Sequence, residues 1–294
     1  MMSCRTRSPA GDARVAWCFR SPITPHEAAY LAEAERADEE AARLQRHPWQ
    51  RLVRRVRMAL RLVWLLIIFT PVAVTAPLSW TRGAPRQYWL RLFRRTLERG
   101  GPAFIKWGQW AATRRDLFPP DLAAQLELLH SQAPAHSARV TERAIEAAFG
   151  FGVADLFYSF EDAPVASGSI GQIHRAQLSE TGARLTGIDE GTTVAVKVRH
   201  PGVSEVIERD FALMSVAARL LGALPPLRHL RLEESLKQFA APLREQVDLG
   251  REALHLHAFN YNFRRMREVS FPVPLYPLVT PAVLYVERGA GAPF

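Results

Sequence analysis

The sequence predicts an α+β chain, with helices over roughly the first 150 residues and then a small antiparallel sheet with helices set against it. Two observations carry this. Between Thr193 and Arg199 the residues alternate strictly, Val194, Val196 and Val198 on one side and Ala195, Lys197 and Arg199 on the other, as in a half-buried strand. Upstream, apolar residues recur at helical spacing between Gly and Pro, as in Ala84 to Arg99, where Trp89, Leu92, Phe93 and Leu97 form one stripe.

The chain has 294 residues, 48% of them hydrophobic, enough to bury a core. Its net charge is +9, but residues 51–99 alone carry eleven Arg against the single acid Glu98, so the remainder sums to −1. The basicity surrounds an apolar run instead of interleaving with exposed aromatics, which argues against a nucleic-acid partner. Cys4 and Cys18 both lie near the N-terminus, so the body of the protein needs no disulfide and has no thiolate metal site.

Residues 1–50 read as a transit-like stretch followed by a charged helix. Arg5, Arg7, Arg14 and Arg20 stand against Asp12 alone, a bias shared by organelle transit peptides and by plain unstructured termini. Thr24 to Glu27 has capping-box spacing with Pro25 at the first helical position, opening a helix to about Gln45. Its apolar face is small, so it is expected to be solvated or partner-facing.

Residues 51–99 read as a basic, membrane-associated segment. Leu62 to Trp80 are nineteen uncharged residues with five Arg before them and five after by Arg95, about the length that crosses a bilayer core. Trp64 and Trp80 lie near the ends, where headgroups favour them. Pro71 and Pro77 would break a soluble helix. The segment either crosses the bilayer or lies in one leaflet.

Residues 100–150 read as a helical extension. Gly100-Gly101-Pro102 ends one helix and starts another, on which Lys106, Gln109 and Thr113 share a face beside Trp107, Trp110, Ala111 and Arg114. Gly108 costs that helix about 1 kcal/mol against Ala unless a neighbour must approach closely. Two helices are expected between Asp121 and Gly150, parted at Ala133-Pro134, with Gly150 as a C-cap.

Residues 151–294 read as the part that carries the sheet. Pro164 to Leu178 form two strands joined by a small-residue turn, and the strand of Lys197 comes next. Helices are expected over Val203–Leu221 and Leu230–Phe263, with breaks at Pro225-Pro226 and Pro242, and two short strands close this part, the second at about Ala282–Glu287. Asp248 and Glu252 fall at i, i+4 on the second helix, a like-charge pair that calls for a counter-charge. The chain has 35 Arg but only three Lys, Lys106, Lys197 and Lys237. A Lys kept at a strand centre asks for a compact ammonium, not a planar fork. Opposite a turn of Ser and Gly, that is how protein-kinase-like domains hold nucleotide phosphates.

Four segments in order then carry a resemblance: K-W-G-Q at Lys106 to Gln109, T-R-R-D-L-F-P-P-D-L after it, S-G-S-I-G-Q-I-H at Ser167 to His174, and V-A-V-K-V-R-H-P-G-V around Lys197. Together they resemble the UbiB-like, aarF-domain-containing (ABC1-type) atypical kinase family. The resemblance implies K-x-G-Q helices on Lys106, Gly108 and Gln109, packed on a kinase-like small lobe with a five-stranded antiparallel sheet. It also implies an ATP site from the alanine-rich loop, here Ser167, Gly168, Ser169, Ile170, Gly171 and Gln172, with Lys197 and its ion-pair partner Glu252. Asp248 would meet the K-x-G-Q helix near Lys106. The family's E-x-D stretch has Gln246 in place of its first acid, and Gly168 stands where Ala is common, loosening the turn.

By the same resemblance the chain is a kinase or ATPase supporting ubiquinone biosynthesis or lipid homeostasis on a mitochondrial inner membrane, with a plastid as alternative. ATP, membrane lipid and ubiquinone-biosynthesis proteins are the expected partners. No catalytic loop and no magnesium ligand follow the small lobe in this sequence, so Mg2+ is expected only where a large lobe is present. The alternative is a noncatalytic, pseudokinase-like membrane module that binds lipid or partner proteins.

Overall fold

The computed structural model describes residues 48–129, 134–223, 231–266 and 268–287, together with Pro25, Ala28, Tyr30, Ala32 and Pro225. The transit-like residues, most of the capping box and the far end of the charged helix lie outside the described residues. The order is α1 (Pro48–Val74), a 3-10 turn (Ala76–Trp80), α2 (Ala84–Gly100), α3 (Pro102–Thr113), α4 (Pro120–Glu127), α5 (Ala138–Phe149) and α6 (Val153–Leu156). Then come β1 (Phe157–Phe160), β2 (Ala166–Ser167), β3 (Gly171–Leu178), α7 (Glu180–Thr186), β4 (Thr193–Arg199), α8 (Val203–Gly222), α9 (Leu232–Val247), α10 (Leu249–Phe263), β5 (Val273–Val279) and β6 (Val283–Glu287).

The sheet is antiparallel in the order β1-β3-β4-β6-β5, and the two-residue β2 pairs with β3 as a sixth strand. Register decides which side chains share a face. Gln172 lies opposite Val198 and His174 opposite Val196, while Ile173 lies opposite Lys197 and Lys197 opposite Leu284. The valine face closes on Ile145 of α5 with Leu156, Phe157, Ala176, Val283 and Tyr285. The Lys197 face is covered by α10, where Leu249 and Ala253 pack with Val279 and Leu284. Gly171 has to be glycine for β3 to approach β4, because a Cβ there would fall 2.6 Å from the Val198 carbonyl oxygen.

The helical part has its own core of Leu65, Ile68, Leu97, Phe104, Ala111, Leu126 and Leu129. Gly108 sits at its closest approach: a Cβ would lie 2.2 Å from Leu129 Cδ1, so its intrinsic helix cost is offset by contact between α3 and α4. Trp107 stands edge-on to Phe93 and Phe118, and Trp110 meets Phe239 of α9.

Three expectations about local structure are corrected. Pro71 does not break the helix: α1 passes through it, ends at Val74 and gives way to the 3-10 turn that holds Pro77. Pro71 is tolerated because Ile67, whose carbonyl loses its helical donor, lies on an exposed face with it. Pro242 is likewise inside α9, with exposed Gln238 one turn back, so no break occurs there. The chain instead breaks at Asp248, which is extended at φ −96°, ψ 103° and caps α10. Asp248 and Glu252 therefore do not stack on one helix face.

The helix opened by Pro25 is not merely solvated. Pro25, Ala28, Tyr30 and Ala32 are helical, and Tyr30 is buried with its ring where a Cβ on Gly250 would be.

Candidate functional site

On the covered face of the sheet, Lys197 projects from β4 toward α10. Its Nζ lies 2.8 and 2.7 Å from the two carboxylate oxygens of Glu252. Both side chains stay about a third exposed, which leaves the ammonium reachable from the cleft. Strand alternation aims the Lys, and the Asp248 cap sets where α10 begins and so which residue faces it.

Lys106 of α3 also enters this cleft. It is half-buried, and its ammonium is pushed below the ordinary lysine range, first by burial and then by the charge of Lys197. Among the described residues no acid forms an ion pair with it. The cleft thus gathers two ammoniums against one carboxylate, a local excess of positive charge suited to an anion. Gln109, a turn further on, donates from Nε2 to the Leu129 carbonyl at 3.0 Å, so it ties α3 to the chain just after α4.

Asp248 does not meet Lys106. Its Oδ1 accepts from Tyr30 Oη at 2.5 Å and from the amides of Gly250 and Arg251 at 3.0 and 3.4 Å. Burial, then the hydrogen bond to Asp248, holds the Tyr30 phenol well above its usual range. Gln246 is exposed on α9 and is not brought to Lys106.

The turn between β2 and β3 is held at several points. Gly168 donates its amide to the Gly171 carbonyl at 2.9 Å and accepts from His200 Nε2 at 2.9 Å. His200 in turn donates its amide to the Ile170 carbonyl at 2.8 Å. Ile170 packs its side chain among Val203, Ile207 and the α9 residues. Glycine at position 168 therefore does not loosen this turn. The amides of Ser169 and Ile170 meet no protein acceptor among the described residues, and the Ser167 and Ser169 hydroxyls are shut from solvent without a partner. The two unspent amides of this tight turn suit an anionic oxygen.

Gln172 is placed elsewhere. Register puts it, with Ser167, on the side of the valine face, and it is fully buried. Its Oε1 accepts from the His136 amide at 2.9 Å, and its Nε2 lies 2.9 Å from His174 Nε2. Its side chain serves a buried polar chain, not the cleft. In that chain His174 Nδ1 lies 2.8 Å from the Glu161 carbonyl, Thr141 Oγ1 bridges His174 and His136, and His136 Nδ1 lies 2.7 Å from His200 Nδ1. Both ends are carbonyls, which only accept, so His174 and His200 must donate there. His136 and His200 face each other Nδ1 to Nδ1, so one of the two rings holds the proton that the other accepts. Burial first, then His200 and His174, lowers the pKa of His136 to about 4. His136 lies in no segment that the sequence singles out, and His200, although inside the lysine-strand segment, has no spacing there that points to His136.

An antiparallel sheet whose lysine strand is paired to an acid on the facing helix defines the small lobe of a protein-kinase-like fold. The family model described as "ABC1 atypical kinase-like domain" matches residues 128–294, and the chain belongs to that ABC1/UbiB atypical kinase family. It is 38% identical over 239 residues to the Dictyostelium discoideum protein named probable serine/threonine-protein kinase abkC, covering 81% of this chain and 33% of the relative. A mitochondrial ABC1 family protein of Schizosaccharomyces pombe is 33% identical over 258 residues, 78% of this chain and 37% of the relative. The probable protein kinase UbiB of Aeromonas hydrophila is 34% identical over 217 residues, 70% of this chain and 38% of the relative. The chain thus spans between a third and two fifths of the length of these relatives.

Proposed function

We propose that this chain carries the ATP-binding small lobe of an atypical kinase or ATPase held at a mitochondrial inner membrane, where it supports ubiquinone biosynthesis or lipid homeostasis. The observation that carries the nucleotide part is the two-point ion pair of Lys197 with Glu252, together with a turn whose Ser169 and Ile170 amides are unspent. In this reading Lys197 holds the phosphates, Glu252 aims it, and the amides of Ser169 and Ile170 cradle a phosphate oxygen. Lys106 supplies a second cation. Asp248 and Glu252 are engaged with Tyr30 and Lys197, so magnesium is assigned no ligand on these residues.

The membrane part rests on the arginine-flanked apolar segment from Arg51 to Arg95, and the organelle on the mitochondrial relative. Residues 51–99 would form the membrane-proximal unit, 100–150 the helical extension and 151–294 the small lobe. Binding of a fluorescent ATP analogue, displaced by ATP, to the full chain and to its Lys197→Met variant tests the nucleotide site. Equal affinities would reject it and favour the noncatalytic module. Fractionation of the tagged protein tests the compartment; recovery away from mitochondrial membranes would reject that assignment.

A further inference from the structure

α1 is 27 residues long, but its uncharged part within the helix, Leu62–Val74, covers only thirteen of them. At 1.5 Å per residue these rise about 20 Å, short of the roughly 30 Å hydrocarbon core. The chain also fails to leave on the far side. Past the 3-10 turn it reverses into α2, which runs back antiparallel along α1: Trp89 Nε1 donates to the Val72 carbonyl at 3.1 Å near one end, and Arg61 Nη2 donates to the Gly100 carbonyl near the other. α2 carries Arg86, Arg91, Arg94, Arg95 and Arg99. Were α1 upright in a bilayer, those arginines would stand in hydrocarbon beside it.

The middle of α1 makes the same point. Arg61 turns inward to Asp210 of α8, which is fully buried. Leu65, Ile68 and Val72, on the same side of the helix, are buried too. The opposite side is different. Leu52, Val56, Leu60, Val63, Leu66, Ile67 and Val74 are each half exposed or more, and at 100° per residue they fall within about a 120° arc. Arg55 lies exposed at the edge of this stripe.

From this we propose that α1 lies flat in one leaflet of an anionic bilayer. The apolar stripe faces the acyl chains, Arg55 meets lipid phosphate, and the inner face stays on the protein. The occupant is lipid and not a second protein, because an exposed apolar arc with an arginine at its edge matches the cross-section of an anionic interface. Trp49 and Trp80, both strongly exposed near the two ends, suit the headgroup level. The proposal rests on the membrane reading above but fixes its mode: the segment does not cross.

The test uses the full chain with Cys4→Ser and Cys18→Ser, carrying an NBD dye at Leu52→Cys or at Thr81→Cys. It is added from outside to vesicles of phosphatidylcholine and phosphatidylglycerol at about 7:3, a composition that carries the anionic surface. Dithionite supplied outside should bleach both dyes. The Val63→Glu, Ile67→Glu double variant should float with these vesicles at least about tenfold less, since the apolar contact that anchors an interfacial helix is lost. Both positions are exposed, so its circular dichroism should match the parent. If the parent floats but one dye is protected until the vesicles are opened, or the double variant floats as the parent does, the flat arrangement is wrong and membrane attachment stands. If the parent does not float, attachment itself fails, and this mode with it.

Discussion

Lys197 and Glu252 meet across the cleft through both carboxylate oxygens, joining β4 to α10. Because both are about a third exposed, the pair adds little to stability, on the order of 1 kcal/mol or less. Its value lies in aiming the ammonium. Lys197→Met and Glu252→Gln are each expected to weaken ATP binding by about tenfold or more while leaving the melting temperature nearly unchanged. The double variant should be no worse than the weaker single one, since the two residues act as a unit. Titration of a fluorescent ATP analogue measures this, and additive losses would show that Glu252 does not act through Lys197.

The half-buried His136 predicts acid sensitivity. Folded His136 takes a proton near pH 4 instead of near 6.5, so between those values the unfolded chain binds more protons. Stability is then complete above about pH 6.5 and lost progressively as the pH falls toward 4, ahead of ordinary carboxylate titration. Denaturation midpoints at several pH values should fall more steeply across that window for the parent than for His136→Asn. Parallel curves would remove His136 from the account.

Much of the lobe was legible because its signals are local. Period-two alternation placed Lys197 off the valine face, and the matched motifs brought Glu252 to it. Gly108 was legible as a close-approach glycine, since nothing else explains glycine amid helix formers. Asp248 was not, because its partner Tyr30 lies 218 positions away and its cap geometry cannot be told from a mid-helix acid by spacing. Arg61 was read as one of five cations flanking an apolar run. A count of charge in a window does not say which arginine turns inward.

Gly171 should tolerate no side chain. A Cβ there meets backbone, the Val198 carbonyl oxygen at 2.6 Å and Arg199 Cα at 3.1 Å, so the β3–β4 pair has to part. Gly171→Ala is expected to cost about 2–4 kcal/mol, at the upper end for overpacking because no rotamer change relieves it. A fall in melting temperature of only a degree or two would show that the strands yield more easily than this.

The Arg61–Asp210 pair gives the sharpest stability prediction, because its two members are so unequally placed. Asp210 is fully buried and receives Arg61 in a fork, Nε to Oδ1 at 2.7 Å and Nη2 to Oδ2 at 2.9 Å. Removing the arginine alone strands a carboxylate away from water and frees the Gly100 carbonyl that Arg61 also caps. Arg61→Leu should therefore cost about 3–5 kcal/mol, the range for breaking a buried pair from one side. Removing both charges is another matter. Arg61→Leu with Asp210→Leu replaces two desolvated ions by apolar volume between α1 and α8, and most of the loss should return. Urea midpoints of the parent, both single variants and the double variant decide it. If the double variant is no more stable than Arg61→Leu, then α1 is held to α8 by the shape of the arginine and not by its charge.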